Sequence, residues 1–277
     1  MSLSEDQHAM IQSTLRQLQE VPVDLFEQAG VSFPPDEALC WRYLDAAGWR
    51  ECVRSKPISE YIRDTLEWRR NLKVPKLAAE TLLSPALQTN LCTGSIYVDG
   101  FDASGDHPLV MFRLARFKGT ETTEDFIEYM VYNLERALLR VPQEQRALAS
   151  FCVLFNCDTG DAGQMPRLAA VREAVNVLMR HYPSRLHRLY VVNPGTAFAL
   201  TWRVVRPLLE ANTRNKIVFV RGHGSPNSKR QCLRTTLAQT IDLSTLEVDY
   251  GGDRTFDFMQ TLPACVHLNH VTEQTEA

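Results

Sequence analysis

The sequence predicts an α/β protein: a helical N-terminal part followed by a mainly parallel sheet with helices. Three observations carry this. Apolar residues recur at helical spacing through the first third, short apolar runs replace them from about residue 94, and after residue 140 such runs alternate with helical segments.

In the first third, Met10, Ile11, Leu15 and Leu18 share one helical face before Pro22 ends the run. Pro34-Pro35-Asp36 starts, and Gly48 stops, a short helix over 36–47. Ile58, Tyr61, Ile62, Thr65, Leu66 and Arg69 give a helix over 57–70 that opens at Pro57, a residue suited to the first turn. Ser95-Ile96-Tyr97-Val98 and Leu109-Val110-Met111-Phe112 flank a turn-rich segment and read as a hairpin. A helix over 122–140, striped by Ile127, Met130, Val131, Leu134 and Leu138, ends before Pro142. Phe151-Cys152-Val153-Leu154-Phe155 has the unbroken apolarity of a strand buried on both faces. Helix 166–181, strand 189–192, helix 197–210 and strand 217–220 complete the alternation, with right-handed crossovers expected.

The chain has 277 residues, 44% of them hydrophobic. A domain of this length buries about 75% of its extended surface, enough for one compact core with an appendage. The expected division is a helical part over 1–90, an α/β domain over 91–252 and a polar tail over 253–277. The net charge of −3 argues against nucleic acid as a partner, which would call for a concentrated basic excess. Seven scattered cysteines without a C-x-x-C fit free thiols in a reducing compartment. With no signal-peptide pattern at the N-terminus and no apolar run of about 18 residues, the expectation is a cytoplasmic protein whose membrane contact is peripheral.

Catalytic motifs are sparse. Asp158-Thr159-Gly160 after an apolar strand is similar to the aspartic-protease signature, but that chemistry needs two carboxylates sharing a proton and no second such triplet occurs. The sequence lacks H-E-x-x-H, a Walker A loop, G-x-S-x-G and a G-x-G-x-x-G after a strand. His267 and His270, with Cys265 nearby, read as incidental rather than as metal ligands, and Gly222-His223-Gly224 reads as a turn. The expectation is a protein that is not an enzyme and has no cofactor or metal.

Several segments in order resemble the Sec14-like (CRAL-TRIO) lipid-binding family: Leu39 to Trp49, the pair Trp68-Arg69, Gly94 to Asp102, Pro108-Leu109-Val110, His181 to Leu186, Val191-Val192-Asn193-Pro194, Arg206 to Leu209, Thr213 to Ile217 and Tyr250-Gly251-Gly252. The resemblance covers roughly 36–252. It implies an apolar lipid pocket with a sheet floor, closed by a gate helix, in a protein that transfers one phospholipid or other apolar ligand or presents it to a lipid-modifying enzyme. It also places Arg185, Thr213 and Lys216 where phosphatidylinositol-binding members meet the headgroup. Ser184 stands where the family often has an acidic residue, Ala47-Gly48 where a basic pair often lies, and Val153 and Phe155 where hydroxyls serve phosphatidylcholine. The sequence therefore leaves the lipid unnamed.

The physical requirement is large. At about 0.8 kcal/mol per methylene, roughly 30 methylenes of a diacyl lipid amount to about 24 kcal/mol of exposed apolar surface that the carrier must cover. Phe112, Phe151, Val153, Phe155, Val191 and Phe219 are the strand residues expected to line the pocket, and each also fits an ordinary core. Phe198, Trp202, Val205 and Leu209 form one stripe on helix 197–210, the candidate gate. Arg203 and Arg206 flank that stripe and suit a transient membrane surface, and Pro207 suits a hinge. The alternative is an interaction module with a vestigial pocket that binds a protein or membrane surface.

Overall fold

The computed structural model describes residues 3–160, 163–222, 225–255, 257–263 and 266, and they form two compact units. His223, Gly224, Cys265, His267 and His270, with most of the tail, lie outside the described residues. The first unit comprises 1–82, 142–149 and 176–185. It holds α1 (Glu5–Leu18), α2 (Val23–Ala29), α3 (Glu37–Ala46), the short antiparallel pair β1 (Cys52–Val53) and β2 (Lys56–Pro57), α4 (Ile58–Asn71) and α5 (Val74–Ala78). Each main helix starts for a chemical reason. Ser4 and Gln7 form a capping box on α1, the Asp36 carboxylate accepts the Leu39 N–H on α3, and Pro57 precedes α4. Ile11, Leu18, Phe26, Leu44, Ile62 and Leu66 bury the apolar faces of α1 to α4 against one another.

Two later segments complete this unit. Arg42 donates to the carbonyl of Ala147, and the Ser184 hydroxyl donates to Asp45 at 2.6 Å. The His181 ring stacks on Trp68 at 4.2 Å, with Nδ1 2.9 Å from the Thr65 hydroxyl. Burial, reinforced by Arg180, lowers the His181 imidazole to about 4. Trp68 and the His181–Arg185 stretch, both prominent in the sequence pattern, thus hold the unit together.

The second unit comprises 83–141, 150–175 and 186–277. It begins with α6 (Pro85–Cys92), capped by Ser84, and the hairpin β3 (Ile96–Phe101) and β4 (Pro108–Arg113). Then follow α7 (Thr123–Leu139), β5 (Phe151–Asn156), α8 (Leu168–His181, whose last turns belong to the first unit), β6 (Leu186–Val192), α9 (Thr196–Val205), α10 (Ala211–Asn215), β7 (Ile217–Val220) and α11 (Pro226–Leu237). The sheet order is β3-β4-β5-β6-β7, with only the β3–β4 pair antiparallel. This is the mainly parallel α/β sheet that the alternation predicts. Because successive parallel strands advance in one direction, right-handed crossovers put their connections on one face of the sheet.

Two expectations needed correction. Helix 197–210 stops at Val205, passes through a 3-10 turn at Arg206–Leu208 and leaves Leu209 extended. Pro207 has no N–H to continue the α-helical ladder. Strand β6 begins at Leu186 rather than Leu189, because the polar His187 and Arg188 disguise its start. Helix α11 went unread. It is polar on most sides and, among its described side chains, buries only Leu233 and Leu237 in the sheet core.

Candidate functional site

Alternation along the strands sorts their side chains onto two faces. One face carries Tyr97, Leu109, Met111, Cys152, Leu154 and Tyr190, all deeply buried under Leu233 and Leu237 of α11 and the following segment. That segment is fastened by charge. Arg113, 7% exposed, donates to Asp249 at 2.6 Å and to Glu247, and Tyr97 donates to the other oxygen of Glu247 at 2.5 Å. Burial would pull the Arg113 guanidinium down, but Tyr250, Tyr97 and Asp249 outweigh it and leave the pKa raised. Gly251 (φ +85°) and Gly252 are required here: a Cβ on the first would stand 2.8 Å from the Arg234 amide nitrogen, and one on the second would meet the Leu246 carbonyl.

The opposite face carries the lining residues expected from sequence: Phe112 on β4, Phe151, Val153 and Phe155 on β5, Val191 on β6 and Phe219 on β7. Phe151 and Val191 are buried, Phe112, Val153 and Phe155 half-buried, and Phe219 is 43% exposed. Helix α7 covers the β3–β4 side with Phe126 and Ile127. Towards β7 the cover thins.

Aromatic rings link this face from one side to the other. Phe126 and Phe117 lie against Phe112 at 6.2 and 5.7 Å, Phe112 against Phe155 at 4.9 Å, and Phe155 against Phe198 of α9 at 6.0 Å. Phe198 and Trp202 then close on Phe219 at 6.1 and 5.5 Å. These spacings are those of tilted and edge-on ring pairs. Sequence reading missed Phe117 and Phe126. Phe126 falls one position ahead of the stripe read on that helix, and Phe117 is an extended residue after the 3-10 turn Leu114–Arg116, where periodicity carries no signal.

Helix α9 rests on this face through Phe198, Trp202 and Val205 and presents Leu200 (65% exposed) and Arg203 outward. Its N-terminus, at Gly195, has no side-chain cap, and at its C-terminus the Arg206 N–H donates to the Trp202 carbonyl. Its attachment is therefore mainly apolar, the kind of element that opens at low cost. Leu209 is half-buried beyond the 3-10 turn.

The headgroup candidates are distributed between the units. Thr213 and Lys216 share one turn of the second unit, and the Lys216 ammonium donates to the Leu186 carbonyl at 2.7 Å. Arg185 belongs to the first unit, where Nη1 donates to the carbonyls of Arg146 at 2.8 Å and Ala149 at 2.5 Å. Asp158 is exposed and its Oδ1 accepts the Gly160 N–H at 3.1 Å, forming a turn. A separate cavity of about 420 Å³ opens beside β3, its wall carrying Asp99, Asn133, Arg136 and Arg254 as well as Ile96 and Val98. Its charged wall sets it apart from the aromatic face. No helix among the described residues is long and apolar enough to cross a membrane.

Comparison with known proteins agrees with this architecture. The chain is 28% identical over 268 residues to a CRAL-TRIO domain-containing protein of Schizosaccharomyces pombe, covering 93% of this chain and 24% of that one. It is 25% identical over 241 residues to the phosphatidylinositol transfer protein PDR17 of Saccharomyces cerevisiae, covering 78% of this chain and 66% of that one. The chain thus spans a quarter to two thirds of these relatives. The crystal structure of Sfh5 superposes with a TM-score of 0.62 at 15% identity, covering 99% of each chain, which shows a shared fold. The model of the CRAL/TRIO domain matches residues 91–252, more than half of the chain. The chain belongs to the CRAL/TRIO domain family, with Sec14-like relatives.

Proposed function

We propose that this chain carries a single lipid, with its acyl or isoprenoid part on the aromatic face of the sheet and α9 as the movable cover. The observation that carries the reading is the asymmetry of the sheet. One face is sealed, whereas the other is lined by Phe112, Phe155 and Phe219 and covered at its β7 side by α9, which rests there through aromatic rings. An apolar ligand there replaces water on rings that are otherwise half-exposed. With α9 lifted, its stripe of Phe198 and Trp202 and the flanking Arg203 and Arg206 suit an anionic membrane surface.

The phosphatidylinositol transfer named for PDR17 supports a phospholipid ligand. On that reading Thr213 and Lys216 of the second unit donate to the headgroup phosphate. The activity is physical carriage between membranes, or presentation to a lipid-modifying enzyme, and its setting is cytoplasmic with peripheral membrane contact.

Organic extraction of the purified chain followed by mass spectrometry tests this. One lipid per chain is expected. Phosphatidylinositol supports the headgroup residues, whereas a sterol or isoprenoid keeps the face and discards them. An empty chain that also refuses offered lipid contradicts carriage and leaves an interaction module that binds a protein or membrane surface.

A further inference from the structure

We propose that the foot of the sheet, where the parallel strands begin, holds a transition-metal site made by Asp102, Cys152 and His187 and suited to Zn²⁺. Their potential ligand atoms, a carboxylate oxygen, a thiol sulfur and an imidazole nitrogen, all lie within 4.8 Å of one another. A tetrahedral ion with bonds of about 2.0–2.3 Å holds its ligand atoms roughly 3.5 Å apart, so movement of about 1 Å closes the set. One sulfur, one nitrogen and one oxygen match the mixed preference of Zn²⁺ and disfavour Mg²⁺ and Ca²⁺, which take oxygen alone.

The backbone is shaped to bring these three together. In the β5–β6 register Phe151 faces Leu186 while Cys152 faces Arg188, so His187 is an inserted residue, a bulge. A regular strand would turn His187 to the face opposite Arg188; a bulge re-aims the side chain, and here its ring reaches Cys152 on the sealed face. Asp102 is fixed by the hairpin turn, its Oδ1 accepting the Ser104 hydroxyl at 2.8 Å and the His107 N–H at 3.2 Å. A second imidazole, His107, stacks on His187 at 3.7 Å, and its Nδ1 lies 3.3 Å from the Ser150 hydroxyl. His107 thus fixes the orientation of the His187 ring, as outer partners do for metal-bound histidines. Cys152 is buried, Asp102 half-buried and His187 exposed, so the ion enters from the histidine side and the fourth position is left to water. The three ligands lie 50 and 35 residues apart in the chain and match no metal-binding motif, so only the fold brings them together.

The test is titration of the intact, reduced chain with Co²⁺, followed by Zn²⁺. One equivalent of Co²⁺ is expected to give a thiolate-to-cobalt charge-transfer band and the intense visible bands of a tetrahedral ion, all removed by one equivalent of Zn²⁺. Cys152→Ser should abolish the charge-transfer band, His187→Ala should weaken binding at least about a hundredfold, and His107→Ala about tenfold. Cys157→Ser should change nothing. Circular dichroism verifies the fold of each variant, and Asp102→Asn, which alters one ligand atom with little change of volume, serves if Cys152→Ser does not fold. No band at one equivalent, a band that survives Cys152→Ser, or an affinity indifferent to both His187→Ala and Asp102→Asn would overturn the site.

Discussion

The two faces of the same five-stranded sheet are built on opposite principles. The face under α11 is closed by apolar packing and clamped by the ion pairs of Arg113 with Glu247 and Asp249, Glu247 being only 5% exposed.

 The Arg113–Asp249 pair lies at the exposed end of that clamp, at 2.6 Å. The face under α7 and α9 is aromatic, thinly covered towards β7, and closed there by a helix whose N-terminus has no side-chain cap. Burial on the first face supplies stability; incomplete burial on the second leaves apolar surface for a ligand to cover. A sheet sealed equally on both faces has no room for cargo.

Breaking the clamp should give the largest effect. Arg113→Ala leaves Glu247 buried without its cation and should cost about 3–5 kcal/mol in urea unfolding. Adding Glu247→Gln should return much of that loss, because the orphaned charge is removed. Lipid retention, measured per folded molecule, should stay unchanged in both, since neither residue faces the aromatic side.

A change on the open face sharpens the contrast. Phe219→Ser removes a ring that is 43% exposed, so its cost to stability should be about 1–2 kcal/mol, smaller than that of a sealed-face residue. Lipid retention should instead fall about tenfold, the equivalent of about 1.4 kcal/mol of lost contact with the ligand. Equilibrium partitioning of a labelled lipid between vesicles and protein reads this directly.

The strands and long helices of the fold were legible because their apolar spacing is strong: β7 spans the 217–220 run as read, and α7 lies within one residue of its expected ends. Helix α11 was not, since Leu233 and Leu237 make too narrow a stripe among polar neighbours. On the site, short unbroken apolar runs put Phe112, Val153, Phe155 and Phe219 on strands, but only the register between strands puts them on one face. The hydrogen-bond acceptors of Arg185 were also hidden. Arg146 and Ala149 meet it through backbone carbonyls, which no residue pattern announces. The Asp102, Cys152 and His187 cluster depends on a one-residue bulge, and bulges leave no periodic trace in sequence.

Hydrogen–deuterium exchange on the lipid-free and lipid-loaded chain tests the central claim most directly, by comparing α9 with α11. The account predicts that loading slows exchange in α9 (Thr196–Val205) at least about tenfold while α11 (Pro226–Leu237) changes little. Equal protection of both helices, or protection of α11 alone, would contradict a cargo held on the aromatic face.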